Sequence, residues 1–224
     1  MLDERVKGRT MPVDSASHAD FLSADRSMLG AEQLAWFKNQ LTTSDATWKV
    51  IGNQVIFSLM DLSWRRPKQP FNLDAWDGYP YEQAQINQFL SEQELSNVIF
   101  TTGDTHCSWA FEVPLDIAAY KAAGTKQAVA IEFGTPSITS ANFDESVELE
   151  EVKQAEQVFT NKKFNPHLKY VNLRDHGYLL LTLDKSEAIA AYYYVDKIKT
   201  RTTMEQLAKQ FKVASGSYQL KELN

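Results

Sequence analysis

The sequence predicts an α/β or α+β domain built on a mixed sheet, and three observations carry that expectation. Segments with helical periodicity alternate along the chain with short β-branched runs, which places helices and strands in one core. One of those runs, 97–102 (NVIFTT), is apolar with little polar alternation, as in a strand covered on both faces. Two more, 178–183 (YLLLTL) and 188–195 (AIAAYYYV), flank a short turn at Asp184, Lys185 and Ser186, the pattern of an antiparallel hairpin. At 224 residues the chain has the length of one such domain.

Residues 1–27 mix charged and small polar residues without a period and read as an N-terminal extension, with the domain proper over 28–224. From Gly30 the pattern turns helical, with Leu34, Phe37 and Leu41 on one side. A strand follows at 48–52 (WKVIG), where β-formers are bounded by turn residues. Residues 61–80 hold three of the seven prolines and no sustained period, so they form a long connecting loop. A helix is expected at 81–95 on the stripe Ile86, Phe89 and Leu90, then the buried strand 97–102, ending at Gly103. Residues 128–133 (AVAIEF) read as a strand, and 143–160 as an acidic surface helix whose carboxylates are solvated. After the hairpin, 203–212 is expected to close the fold as a short helix.

Composition excludes several classes of function. Hydrophobic residues make up 43% and charged residues 23%, ordinary for a packed domain and wrong for disorder, collagen or coiled coil. A net charge of -6 argues against nucleic acid as a partner held by a broadly basic surface. The longest apolar runs fall far short of the ~20 residues of a membrane span, and no signal segment opens the chain. The single Cys107 excludes an intrachain disulfide framework and a four-thiolate zinc site.

The segment 97–109 (NVIFTTGDTHCSW) carries the chemistry. A buried strand ends at Gly103, which permits a tight turn, and Asp104 and His106 follow two residues apart. Ligands in open α/β sheets collect beyond the carboxyl ends of strands. A carboxylate oxygen with an imidazole nitrogen suits iron, zinc or manganese, and the carboxylate also suits calcium. The same residues also fit a plain turn with His106 bonded to a backbone carbonyl, and spacing alone leaves both readings open. Asn53 and Gln54 would lie just past a strand end, and Arg65, Arg66 and Lys68 form a loop cluster of solvated charge.

The ordered set RSMLGAEQLAWF (26–37), WKVIGNQ (48–54), WDGY (76–79), FTTGDTHCSW (100–109), EFGTPSITS (132–140) and NPHLKYVNLRDHGY (165–178) resembles the C-terminal half of PhoD-like alkaline phosphatases and phosphodiesterases. The resemblance spans about residues 25–196. It implies part of the αββα sandwich of calcineurin-like metallophosphoesterases, and hydrolysis of phosphate monoesters or diesters by metal-activated hydroxide. It implies calcium and iron as cofactors, a phosphate ester as substrate, and a secreted or periplasmic location. Carried over by residue, GD-x-H makes Asp104 and His106 the catalytic metal ligands, WDGY puts Asp77 and Tyr79 beside the substrate, and His167 supports the site from behind. Asn53 and Gln54 would line the cavity floor.

The family's earlier ligand motifs are not found. Asp3, Asp14, His18, Asp20 and Asp25 occur in 1–25 with no strand to present them. The expectation is therefore a partial chain, weakly active or inactive alone, that homodimerises or pairs with a missing N-terminal half. A non-catalytic binding module that kept the fold is the alternative. A serine hydrolase built on Ser137 or Ser140 lacks a GxSxG elbow, and no serine, histidine and acid set follows from the spacing.

Overall fold

Two stacked β-sheets with helices over one outer side make up the structure, a computed structural model that describes residues 1–123 and 127–223. The expected domain end at Asn224 lies outside the described residues. The larger sheet has the order β1 (Lys49–Asn53), β2 (Val98–Thr102), β4 (Ala128–Gly134), β3 (Ser108–Pro114), β5 (Leu168–Asn172). β1, β2 and β4 are parallel, whereas β3 runs antiparallel to both its neighbours, so the sheet is mixed. The second sheet is an antiparallel meander, β6 (Gly177–Leu183), β7 (Glu187–Val195), β8 (Glu205–Ala214) and β9 (Lys221–Leu223).

Both faces of the larger sheet are covered, which is why its strands lack polar alternation. On the inner face, Ile99, Ala110, Ile131 and Phe133 pack against Ala190, Tyr192, Phe211 and Val213 of the second sheet. Tyr194 donates to Ser108 Oγ at 2.8 Å and Tyr192 to the Trp109 carbonyl, so the sheets are tied by polar contacts as well as by apolar ones. On the outer face, Phe37 and Leu41 of α1 (Gly30–Thr43) and Ile86 and Leu90 of α2 (Pro80–Glu92) bury their stripes with Phe57, Trp76 and Phe100. Pro80 opens α2 where a missing N–H costs nothing. Two shorter helices, α3 (Ile117–Ala123) and α4 (Leu149–Phe159), follow β3 and β4. These are three of the four layers of an αββα sandwich. No helix among the described residues is long and apolar enough to cross a membrane.

Three expectations need correction. Residues 203–212 are not a helix: 205–214 are β8, paired along β7 with a register shift at Ala208. The pairing of Ala190 with Phe211, which buries the Phe211 ring, decides for the strand. The acidic helix begins only at Leu149, after a turn in which the Ser146 and Val147 amides both bond the Phe143 carbonyl. β3 and β5 had no counterpart in the expected order, although every residue of β3 is buried. At the start of the 1–27 segment, Leu2 N–H bonds the Gly52 carbonyl at the sheet edge at 2.9 Å, and Glu4 has no exposed surface.

Candidate functional site

β1 and β2 are paired in register from Lys49 with Val98 to Asn53 with Thr102, so their carboxyl ends arrive together. The turn that follows β2 is strained. Asp104 and His106 have φ of 69° and 61°, the left-handed region, which costs a non-glycine residue about 1–2 kcal/mol. The turn is braced by Thr105 N–H on the Gly103 carbonyl at 2.8 Å and by Trp109 Nε1 donating to Thr105 Oγ1 at 2.8 Å. His106 Nδ1 lies 2.7 Å from the Ala141 carbonyl oxygen. A carbonyl only accepts, so Nδ1 carries the hydrogen and the neutral ring keeps a lone pair on Nε2. Asp104 is exposed and half engaged, its Oδ1 accepting from Arg5 Nη2 at 2.7 Å. Asn53 is buried; its Nδ2 reaches the Val55 carbonyl and Thr102 Oγ1, while Oδ1 has no partner among the described residues.

Behind these strand ends, residues 54–60 run as a loop whose main chain is served by side chains. Glu4 Oε2 accepts from the Gln54 and Val55 amides, each at 2.9 Å. Glu132 takes the amides of Phe57 and Ser58, each at 2.7 Å, and the hydroxyl of Thr102 at 2.6 Å. Asp77 takes the Met60 amide at 3.2 Å. The carbonyls of Phe57 and Leu59 accept from Gln83 and His167. Burial dominates the ionisation of these groups: it pushes Asp77 up to about 8 and Glu4 up to about 7, against the amide hydrogen bonds that favour the charged form. Burial also moves His167 down to about 4, so its ring stays neutral.

The residues of WDGY therefore act from inside the wall. Asp77 and Tyr79 are 4% and 0% exposed, and their contacts are with the protein rather than with open space. Gly78 is required sterically, because a Cβ there would lie 2.1 Å from the Leu73 carbonyl oxygen. Tyr79 donates to the Thr10 carbonyl at 2.6 Å and accepts from Arg9 Nε at 3.0 Å, and Arg26 stacks over its ring. Arg9 and Arg5 both grip Asp74, each at 2.7 Å. His167 supports Leu59 rather than the turn at 103–106. Gln54 Oε1 accepts from the Glu4 amide at 2.6 Å. Cys107 is fully buried.

A second constellation lies beyond Ala141. Asp144, Glu145 and His176 offer ligand atoms all within 4.8 Å of one another. His176 bonds Glu145 Oε1 through Nε2 at 3.0 Å and meets Ser137 Oγ through Nδ1 at 3.3 Å. A serine, histidine and acid set thus exists, but the serine hydroxyl donates to the Ser140 carbonyl, and the imidazole does not take its hydrogen. Arg65, Arg66 and Lys68 are exposed loop charges.

Several contributors escaped the sequence reading. Glu132 had a signal, a lone charge inside an apolar strand, which buried strands tolerate only with hydrogen-bond partners. Arg5 had none, since 99 residues separate it from Asp104.

Comparison with known proteins identifies the family. A family model described as PhoD-like phosphatase matches residues 1–192. The chain is 30% identical over 171 residues to alkaline phosphatase D of Bacillus subtilis (strain 168), an alignment that covers 75% of this chain and 27% of that protein. A solved structure described as "Structure of PhoD" superposes with a TM-score of 0.83 at 24% identity, over 100% of this chain and 41% of that one. The chain thus spans about a quarter of the length of the curated relative. A family model matched over most of the chain, together with the sequence match and the shared fold, places this chain in the PhoD-like phosphatase family.

Proposed function

We propose that this chain carries part of the metal site of a phosphoesterase that hydrolyses phosphate monoesters or diesters. Asn53, Asp104 and His106 would hold a divalent or trivalent ion, with calcium and iron the ions that the family resemblance suggests. The observation that carries the reading is the donor set at the ends of β1 and β2: an orphaned buried amide oxygen, a half-free carboxylate and an imidazole whose Nδ1–H is fixed on a carbonyl. A second partner on the far nitrogen is how ligating histidines are oriented. Such an ion supplies Lewis-acid chemistry, polarising phosphoryl oxygens and lowering the pKa of water.

The chain's own residues set the geometry. The strained turn aims Asp104 and His106, and the Glu132 hydrogen bonds keep the 54–60 loop and Thr102 in place beside Asn53. Asp77 and Tyr79 anchor that wall and reach substrate only through it. Three donors fill about half of a six-coordinate shell. Water, substrate or a further protein segment supplies the remainder, and the activity of this chain alone is expected to be low. A secreted or periplasmic location belongs to the same reading.

Metal content and p-nitrophenyl phosphate turnover, with Asp104→Ala and His106→Ala alongside, test it. Metal retention or turnover that survives both substitutions would overturn the site assignment. A folded chain that takes up no metal at any concentration favours the binding module instead.

A further inference from the structure

We propose that Arg5, whose guanidinium pairs with Asp104, binds the phosphoryl group of the substrate and competes with a cation for that carboxylate. The inference rests on the metal reading of Asp104. Its observations are separate from that reading, because they concern a residue of the segment that the sequence left without chemistry.

Arg5 spans two carboxylates. Nη1 bonds Asp74 Oδ2 at 2.7 Å and the Asp74 carbonyl at 3.2 Å, and Nη2 bonds Asp104 Oδ1 at 2.7 Å. These contacts use three of the five N–H donors of a guanidinium, which leaves two without a protein partner among the described residues. The side chain is 29% exposed, so the unused edge meets solvent at the rim of the site. A planar fork with paired donors is the shape that takes two oxygens of a phosphoryl group at once. Asp74 is itself held by Arg9, which fixes the hinge about which Arg5 would turn.

Charge dictates the order of events. A metal ion on Asp104 stands beside a fixed positive charge, and the two compete for one carboxylate. The arriving ion therefore weakens the bond between Arg5 and Asp104. A phosphoryl dianion placed between the ion and the guanidinium removes the repulsion and satisfies the released N–H groups. Metal alone and Arg5 oppose each other, whereas metal, phosphate and Arg5 reinforce one another, a coupling that must be reciprocal.

Calorimetric titration of the whole chain with Mn²⁺, and with inorganic phosphate in the presence of Mn²⁺, separates these effects. Arg5→Ala should bind Mn²⁺ about two- to fivefold more tightly, the scale of a partly exposed ion pair. The same variant should bind inorganic phosphate about tenfold more weakly. Arg5→Lys keeps the charge and should show Mn²⁺ affinity near that of the unaltered chain, with phosphate binding between the two. Should Arg5→Ala fail to fold by thermal scan, Arg5→Gln carries the same comparison. The two affinities moving in opposite directions is a signature that a merely structural strap does not produce. Both affinities unchanged, or both weakened together, would overturn the inference, as would absence of Mn²⁺ uptake by the unaltered chain and Arg5→Ala alike. If Asp104→Asn abolishes Mn²⁺ binding while Arg5→Ala changes nothing, only the role of Arg5 falls. If Asp104→Asn binds Mn²⁺ unchanged, the site assignment falls and this inference with it.

Discussion

Along residues 54–60, carboxylates are taken out of water and set on main-chain amides; along 103–106, a carboxylate and an imidazole stay at the surface and the main chain is the part under strain. Glu132 has no exposed surface and three hydrogen bonds to its oxygens within 2.7 Å, whereas Asp104 keeps 41% of its side chain exposed and leans on one arginine. Removing a carboxylate from water is costly, and amide and hydroxyl donors offset it only when the geometry is nearly complete. The first region therefore spends charge on position and has little left for a ligand. The second tolerates an unfavourable backbone so that two donor atoms remain available. Strain at the 103–106 turn and burial of charge along 54–60 are thus two different ways of holding side chains in place.

The largest expected effect is structural. Glu132→Ala strands two amides and a hydroxyl in the interior and should destabilise the fold by about 3–5 kcal/mol in urea denaturation, with Glu132→Gln costing less. A loss under about 1 kcal/mol would mean that the loop is held mainly by packing, such as the stacking of Phe57 on Phe100 with centroids 4.2 Å apart.

Acidity provides the next test. Asp77 is raised from 3.8 to about 8 in the folded chain, so its stabilising contribution is complete at low pH and is lost as pH rises towards 8. His167, lowered to about 4, works oppositely, but its contribution is fully present above 6.5 and adds no slope beyond it. Unfolding free energy should therefore decline between pH 7 and 8, by at most about 1.4 kcal/mol per unit for one group, and Asp77→Asn should flatten the decline. A stability that rises with pH in that interval would refute the assignment of Asp77 to the buried set.

At the strained turn the pattern should invert. Asp104→Asn and His106→Asn place a residue tolerant of the left-handed region at each position. Stability should change by no more than about 1 kcal/mol while metal affinity drops at least about tenfold. Matched thermal scans and metal titrations read both quantities; a large stability loss without a metal effect would make the turn a structural corner. The smallest effect is expected at the loop charges. Arg66→Ala and Lys68→Ala should stay within about 0.5 kcal/mol in the same denaturation assay, since neither is buried.

Much of the fold and part of the site was legible before any coordinates. Local patterns located α1, α2, β1, β2, β4 and the β6–β7 hairpin, because a helical stripe or a β-branched run bounded by turn residues is a property of neighbouring residues. The candidate pair Asp104 and His106 stood out for the same reason, being two residues apart at a strand end. The burial of Asp77 and Tyr79 did not, because exposure depends on what packs over a loop.

By itself the sequence determined most of the helical and extended segments, where the chain turns after residue 102, and which family pattern the segments follow. Only the tertiary structure decided that 205–214 pairs as a strand, that Glu132 holds a loop more than 70 residues away, that Ser137, His176 and Glu145 meet, and that Arg5 reaches Asp104. Each of these depends on a partner far along the chain. Propensity and periodicity are set by adjacent residues, whereas the burial and pairing that give a side chain its work are set by what the finished fold brings against it.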